Sequence, residues 1–368
     1  MIVSARLWLT LVLALLLGPG RSSAVEEGAA NVRWHAVTQQ MLEGQGWTDV
    51  QSPFDRLPAR AERLVRPEVW ELARHAAGMN VRFVTDAPAI SVRWTLTSER
   101  LAMPHMAATG VSGVDLYVKH EGRWRFLAVG RPTEYPTNEV EIVKGLKPSQ
   151  AEYRLNLPLY NGVSRVEIGV PDDAEFRFKE PSRQAPVVLY GTSITQGGCA
   201  SRPGMSYAAI LSRRLDVPVI NLGFSGNGKS EPEVARLLAE LNPAIFVLDP
   251  LGNMFPEQVA ERLPGFIQIL RDRHPDVPIL LNENVYYPTT RLVPARLERV
   301  QASNAILRNI LDERIAAGDR RISIIPACDL TVDDGDTTVD GTHPTDHGFL
   351  LMADAIEPYL RQTLHDAR

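Results

Sequence analysis

Up to about Pro181 the apolar positions alternate with polar ones in short runs. Val81-Arg-Phe-Val-Thr85 and Ile90-Ser-Val-Arg-Trp-Thr-Leu96 repeat every second residue, the period of a strand with one buried face. Residues 115–119 and 124–129 flank Glu121-Gly122, which predicts a hairpin. Residues 139–143, 152–157 and 163–169 continue the period. Many short strands without a long helix predict a β-sandwich of about 130 residues. A short helix is expected near 67–75.

Beyond Pro186 the period changes. Short apolar runs at 187–190, 217–221, 244–249, 278–282 and 322–326 alternate with helical patterns at 206–215, 230–241, 256–274, 293–317 and 346–364. Apolar strands separated by helices predict a parallel sheet covered on both faces. Ser230-Glu-Pro-Glu233 has the form of a capping box, and Gly318 that of a C′ residue after the longest helix. The chain thus divides into a β-domain over 30–180 and an α/β domain over 185–366.

Composition narrows the function classes. A chain of 368 residues, 44% hydrophobic and 23% charged, has room for two globular domains. A net charge of −5 without a Lys/Arg-rich block argues against nucleic acid or an anionic membrane as partner. Residues 1–24 differ from the rest: Arg6, an apolar run over 7–17, then Gly18-Pro-Gly20, with small residues at Ser22 and Ala24. That is the pattern of a secretory signal peptide. Its apolar run is well short of the ~20 residues of a spanning helix. The expected location is therefore secreted or periplasmic, without stable membrane insertion. Cys199 and Cys328 make no disulfide framework and are expected as separate buried thiols. With no clustered histidine they predict no zinc site, and neither metal nor cofactor is expected.

In such a sheet, ligands bind outside the carboxyl ends of the strands. Ser193 in Gly191-Thr-Ser193-Ile-Thr-Gln-Gly197 follows the first strand, Gly226 the second and Asn253 the third. Asp340-Gly-Thr-His343 precedes the last helix. A serine needs a base, which His343 supplies, and Asp340 orients the imidazole. Gly226 lacks a Cβ and brings its N–H close to an oxyanion, and the Asn253 amide is a second donor. His347 is a rival base, placed instead in the first turn of the last helix. Asp340 has a second reading as a turn cap, and Asn253 as a turn former.

These four segments resemble the blocks of the SGNH, or GDSL-type, hydrolases, over about residues 185–366. The resemblance implies a flavodoxin-like three-layer α/β fold and a triad of Ser193, His343 and Asp340. It also implies an oxyanion hole from the N–H groups of Ser193 and Gly226 and the Asn253 amide. Two positions depart from the pattern: Thr192 stands where an Asp is usual, and Met254 where an Asp often follows the asparagine. Gly113-Val-Asp-Leu-Tyr117 resembles the Gly-x-Asp-Leu-Tyr signature of a β-rich, jelly-roll-like domain that precedes such hydrolases. Proteins so arranged are similar to secreted bacterial esterases that remove acetyl groups from polysaccharides, so an acetylated polysaccharide or oligosaccharide is the expected substrate.

Several residues leave two readings open. Arg202, Tyr207 and Glu283 either contact substrate or pack. Trp94 and Trp124 either stack on sugar or fill the core. His105, His120 and His274 read as ordinary surface or loop residues. A lipase or lysophospholipase would use the same triad, with long-chain preference and an exposed apolar rim. An inactive carbohydrate-binding protein is the alternative outside enzymes, against which the intact residue set argues.

Overall fold

The structure, a computed structural model, describes residues 31–330 and 335–366. The signal-peptide reading of residues 1–24 lies outside these. No helix among the described residues is long and apolar enough to cross a membrane.

The strands of the N-terminal half are β1 (Val32–Ala36), β2 (Leu42–Glu43), β3 (Asn80–Thr85), β4 (Ala89–Leu96), β5 (Val114–His120), β6 (Arg123–Gly130), β7 (Thr137–Lys144), β8 (Ala151–Asn156), β9 (Val163–Pro171) and β10 (Phe176–Phe178). They form two antiparallel sheets, β1-β9-β4-β7 and β10-β3-β8-β5-β6, with β2 beside β3. The alternation explains why: Val81, Phe83, Leu116 and Leu155 of one sheet and Val92, Trp94, Val166 and Ile168 of the other share one buried cluster. At the predicted hairpin, His120 pairs with Arg123 across Glu121 (φ 50°) and Gly122 (φ 72°), the positive pair that suits a two-residue turn. β1, β2 and β10 lie outside the expected set. β2 and β10 are too short to show a period, and β1 is a mostly exposed edge strand. Trp94 is core, its Nε1 donating to the Ser112 carbonyl at 2.9 Å, so it forms no sugar platform with Trp124.

The strands of the C-terminal half are β11 (Val187–Gly191), β12 (Val219–Gly223), β13 (Ile245–Asp249), β14 (Ile279–Asn282) and β15 (Ile322–Ile325). All neighbours are parallel, in the order β12-β11-β13-β14-β15, a doubly wound arrangement whose direction reverses at β11. The helices in chain order are α1 (Pro67–Ala73), α2 (Ala108–Val111), α3 (Ser193–Gln196), α4 (Tyr207–Leu215), α5 (Pro232–Leu238), α6 (Pro256–Arg273), α7 (Pro288–Leu292), α8 (Pro294–Ala316), α9 (Ala327–Leu330) and α10 (Asp346–Asp366). Val188 and Tyr190 pack with residues of α5, α6 and α8, while Val187 and Leu189 pack with residues of α4 and α10. Helices therefore cover both faces, and near-continuous apolar strands follow from that. Gly318, at φ 95°, follows α8 as expected. The capping box at Ser230 does not form: Ser230 lies at φ 54°, its N–H donates to the Tyr190 hydroxyl at 2.8 Å, and the helix starts at Pro232 after Glu231.

From Val32 onward the chain is one compact unit, and buried polar clasps join its halves, two of which bear on the site. The Gly-x-Asp-Leu-Tyr segment is the first. Asp115, fully buried, accepts from Arg202 Nη1 and from Gly204 N, both at 2.8 Å, and from Asn156 Nδ2 at 2.8 Å. Arg202 also donates to the Tyr117 hydroxyl at 2.6 Å. The second is Arg56, a buried guanidinium without a carboxylate partner among the described residues. It donates to the carbonyls of Leu72, His75, Asn221 and Gly223, and burial pushes it down to about 9. Its bonds to Asn221 and Gly223 anchor the carboxyl end of β12.

Candidate active site

Gly191, Gly223 and Asp249 stand side by side in the sheet, ending β11, β12 and β13 in one row. The loops that carry Ser193, Gly226 and Asn253 therefore leave the sheet together. Ser193 opens α3, where Thr192 is the N-cap: its Oγ1 accepts from Ile194 N at 3.2 Å, and Thr195 Oγ1 accepts from Thr192 N at 3.3 Å. Thr192 thus supplies a helix cap where the family pattern has an Asp. Met254, the second departure, is fully buried in the core.

The loop before α10 brings the remaining pair. Asp340 Oδ1 accepts from the N–H groups of Thr342 (3.0 Å) and His343 (2.8 Å), while Oδ2 lies 2.8 Å from His343 Nδ1. His343 Nε2 lies 2.8 Å from Ser193 Oγ. One carboxylate thus caps the turn and holds the imidazole. Burial raises the Asp340 pKa, but the hydrogen bonds from His343 and Thr342 outweigh it and hold the carboxyl below its ordinary range. An ionised carboxylate only accepts, so Nδ1 carries the proton and Nε2 is left to accept from the serine hydroxyl. His347 lies in the first turn of α10.

Donors lie on the neighbouring loops. Among the described residues the backbone N–H groups of Ser193 and Gly226 have no hydrogen-bond partner. Gly226 is exposed at φ 69°, a conformation that a side chain would strain. Asn253 Nδ2 donates one hydrogen to the Phe224 carbonyl at 3.2 Å, and its second has no protein partner among the described residues. Asn253→Ala should lower kcat by roughly 10²–10³ with a smaller effect on KM, read from steady-state kinetics. A change confined to KM would instead make the amide a substrate contact.

The three residues considered for substrate contact are placed elsewhere. Arg202 is held in the Asp115 clasp. Tyr207 is fully buried beneath α3, its hydroxyl donating to Thr195 Oγ1 at 3.1 Å. Glu283 is buried, accepts from Ala327 N at 2.7 Å and pairs with Arg308. His274 is buried, its Nε2 2.9 Å from the Ala239 carbonyl, contrary to its expected surface position, while His120 is exposed. Tyr160, from the loop between β8 and β9, gave no sequence signal because its loop belongs to the other half of the chain. Its hydroxyl donates to the Ser193 carbonyl at 3.2 Å. Gln196 accepts from Ser225 N at 3.0 Å, fixing the Gly226 loop to α3.

Asp249 closes the network below α3. Thr195 Oγ1 donates to its Oδ2 at 3.1 Å, and the Tyr207 hydroxyl lies 3.4 Å from the same oxygen. Its side chain keeps a little solvent contact, yet the surrounding atoms desolvate it and push it up to about 7 from an ordinary 3.8. The folded state then holds this proton longer than the unfolded chain. Stability from this group is full below 3.8 and falls as pH rises toward 7. Asp249→Asn should therefore gain in Tm relative to the parent as pH rises from about 5 to about 8. A constant difference would show that the carboxyl is already ionised at the lower pH.

The cysteines are both free, with Cys199 buried and Cys328 exposed, so only one of the two expected buried thiols is buried. The zinc expectation also rested on a wrong premise. Cys199 does have clustered partners: one ligand atom each from His105, Cys199, Asp340 and His343 lies within 4.8 Å of every other. The His105 and His343 rings are 5.5 Å apart.

Comparison with known proteins settles the family. Residues 184–361 match the GDSL-like lipase/acylhydrolase family. Residues 32–176 match the GxDLY N-terminus of SGNH-hydrolase-type esterases. A solved structure described as a GDSL-like lipase from Bacteroides ovatus is 33% identical, with TM-score 0.86, across 91% of this chain and 98% of that one. The chain belongs to the GDSL-like lipase/acylhydrolase family. This GDSL-like protein is an ester hydrolase. It shares its fold with the salicylyl-acyltransferase SsfX3 of a tetracycline biosynthetic pathway (20% identity, TM-score 0.71, 90% of this chain and 97% of that one). The fold also occurs in a family two carbohydrate esterase from Clostridium thermocellum solved with cellohexaose (17%, 0.55, 78% and 93%). No curated protein matches the sequence.

Proposed function

We propose that this GDSL-like protein is a serine esterase that removes short acyl groups, acetyl first, from polysaccharide or oligosaccharide esters. The observation that carries the reading is the continuous relay from Ser193 Oγ to His343 Nε2 and from His343 Nδ1 to Asp340, each link 2.8 Å. Ser193 attacks the ester carbonyl as His343 takes its proton, and Asp340 stabilises the imidazolium. The oxyanion is held by the N–H groups of Ser193 and Gly226 and by the Asn253 amide. His343 returns the proton to the leaving alcohol, and water, activated by the same imidazole, releases the acid and frees Ser193.

Carbohydrate is favoured as the alcohol because structures sharing this fold include family two carbohydrate esterases and an acetyl xylan esterase from Butyrivibrio proteoclasticus. Export, read from residues 1–24, suits a polymer outside the cell, and the two antiparallel sheets form a sandwich-like half whose Tyr160 reaches Ser193. The test is the initial rate on p-nitrophenyl acetate, butyrate and octanoate. Rates should fall with chain length, and acetylated polysaccharides should release acetate. Rates that rise with chain length would move the assignment to a lipase or lysophospholipase; the Bacteroides ovatus relative is described as a GDSL-like lipase. Glycan binding without any ester turnover would leave an inactive carbohydrate-binding protein.

A further inference from the structure

Two side chains beside the relay have no part in the proposed chemistry. His105 is exposed on the loop between β4 and α2, and Cys199 is buried in the turn after α3 at φ 72°. Neither side chain makes a hydrogen bond or ion pair among the described residues, whose contacts otherwise account for His343 and Asp340. All four come from three separate segments, yet their ligand atoms fall within 4.8 Å of one another.

The geometry points to a binding site for a zinc-class divalent cation, made by His105, Cys199, His343 and Asp340, that switches the esterase off. The inference rests on the triad reading above. A thiolate, two imidazoles and a carboxylate are the donor types that zinc prefers. Tetrahedral zinc, with bonds of about 2.0–2.3 Å, sets its donors roughly 3.3–3.8 Å apart. The four atoms already approach that spacing, and the exposed His105 has the freedom to close the remaining distance. The Cys199 thiol gives up its proton to solvent as the metal–sulfur bond forms.

Inhibition follows whichever nitrogen of His343 binds. Nε2 is the atom that accepts from Ser193, and Nδ1 is the atom held by Asp340. A metal on the first removes the base, and a metal on the second displaces the carboxylate that orients it. This metal is therefore an inhibitor and not a cofactor, and turnover needs no ion at this place.

The experiment pairs Zn²⁺ calorimetry with the near-ultraviolet thiolate band of Co²⁺ and with p-nitrophenyl acetate rates. The parent protein should bind one equivalent of Zn²⁺, lose activity in step with binding and regain it with EDTA. His105→Ala and Cys199→Ala should keep their metal-free rates and bind Zn²⁺ at least about tenfold more weakly, and Cys199→Ala should also lose the Co²⁺ band. His105 is exposed, so its variant remains informative even if the buried Cys199 substitution lowers stability. Unchanged Zn²⁺ inhibition in both variants, or no stoichiometric binding to the parent, overturns the site. The Co²⁺ band needs no turnover and should persist in Ser193→Ala. Failure of the esterase reading is thereby separated from failure of the metal site.

Discussion

Ser193→Ala should lower kcat by about 10⁵–10⁶ while leaving the fold intact. The size follows from losing the covalent route altogether, since the donors at Gly226 and Asn253 then act only on a carbonyl that nothing attacks. The intact fold follows from the local bonds. Among the described residues Ser193 Oγ hydrogen-bonds only to His343, whereas the cap of α3 is built by Thr192 and Thr195 and the turn behind it by the Ser193 carbonyl, which accepts from Gly197, Gly198 and Tyr160. Alanine keeps every one of those backbone bonds and is a good helix residue. Single-turnover and steady-state rates, with Tm beside them, decide the matter. A variant that keeps more than about a thousandth of the parent kcat with an unchanged Tm would remove Ser193 as nucleophile.

The relay residues were legible because their chemistry is encoded by type and by place along the chain. A serine two residues past an apolar strand, and Asp340 and His343 three residues apart, need no tertiary information to be suspected. The sheet register then explains why they meet: Gly191, Gly223 and Asp249 end in one row. What sequence reasoning missed is what arrives from the other half of the chain. Tyr160 and His105 lie in loops whose local pattern says only that they are loops, and Arg56 sits in a segment with no clear period. Arg202 shows the reverse error. Its position just past Ser193 suggested a substrate contact, but the charge is consumed by Asp115, 87 residues away. A buried carboxylate in the Gly-x-Asp-Leu-Tyr segment is legible as a motif, while its partner is fixed only by the packing of the halves.

That packing also gives the N-terminal half a role in the site. Arg56 holds the carbonyls at the end of β12, Gln196 ties the following loop to α3, and His75 Nδ1 lies 3.1 Å from Gln196 Nε2. The loop bearing Gly226 is thus positioned by residues from both halves. Burial pushes His75 down to about 3, so it stays neutral and adds no second charge beside Arg56. In the proposed mechanism such a preorganised donor loop costs no rearrangement when the oxyanion forms.

Asp340→Asn should lower kcat by about 10⁴ with little change in Tm, and the contrast with Asp340→Ala separates its two jobs. In the asparagine variant the side-chain oxygen keeps the bonds from Thr342 N and His343 N, so the turn survives. The amide nitrogen then faces His343 Nδ1 and donates to it. The ring proton moves to Nε2, which points at Ser193 Oγ as a donor and is no longer able to accept the hydroxyl proton. Geometry is preserved while the base is lost, so the defect falls on kcat and not on KM or stability. Alanine removes the turn bonds as well and should lower Tm in addition. An asparagine variant within about tenfold of the parent would mean that Asp340 serves the turn alone and that His343 is oriented by its surroundings.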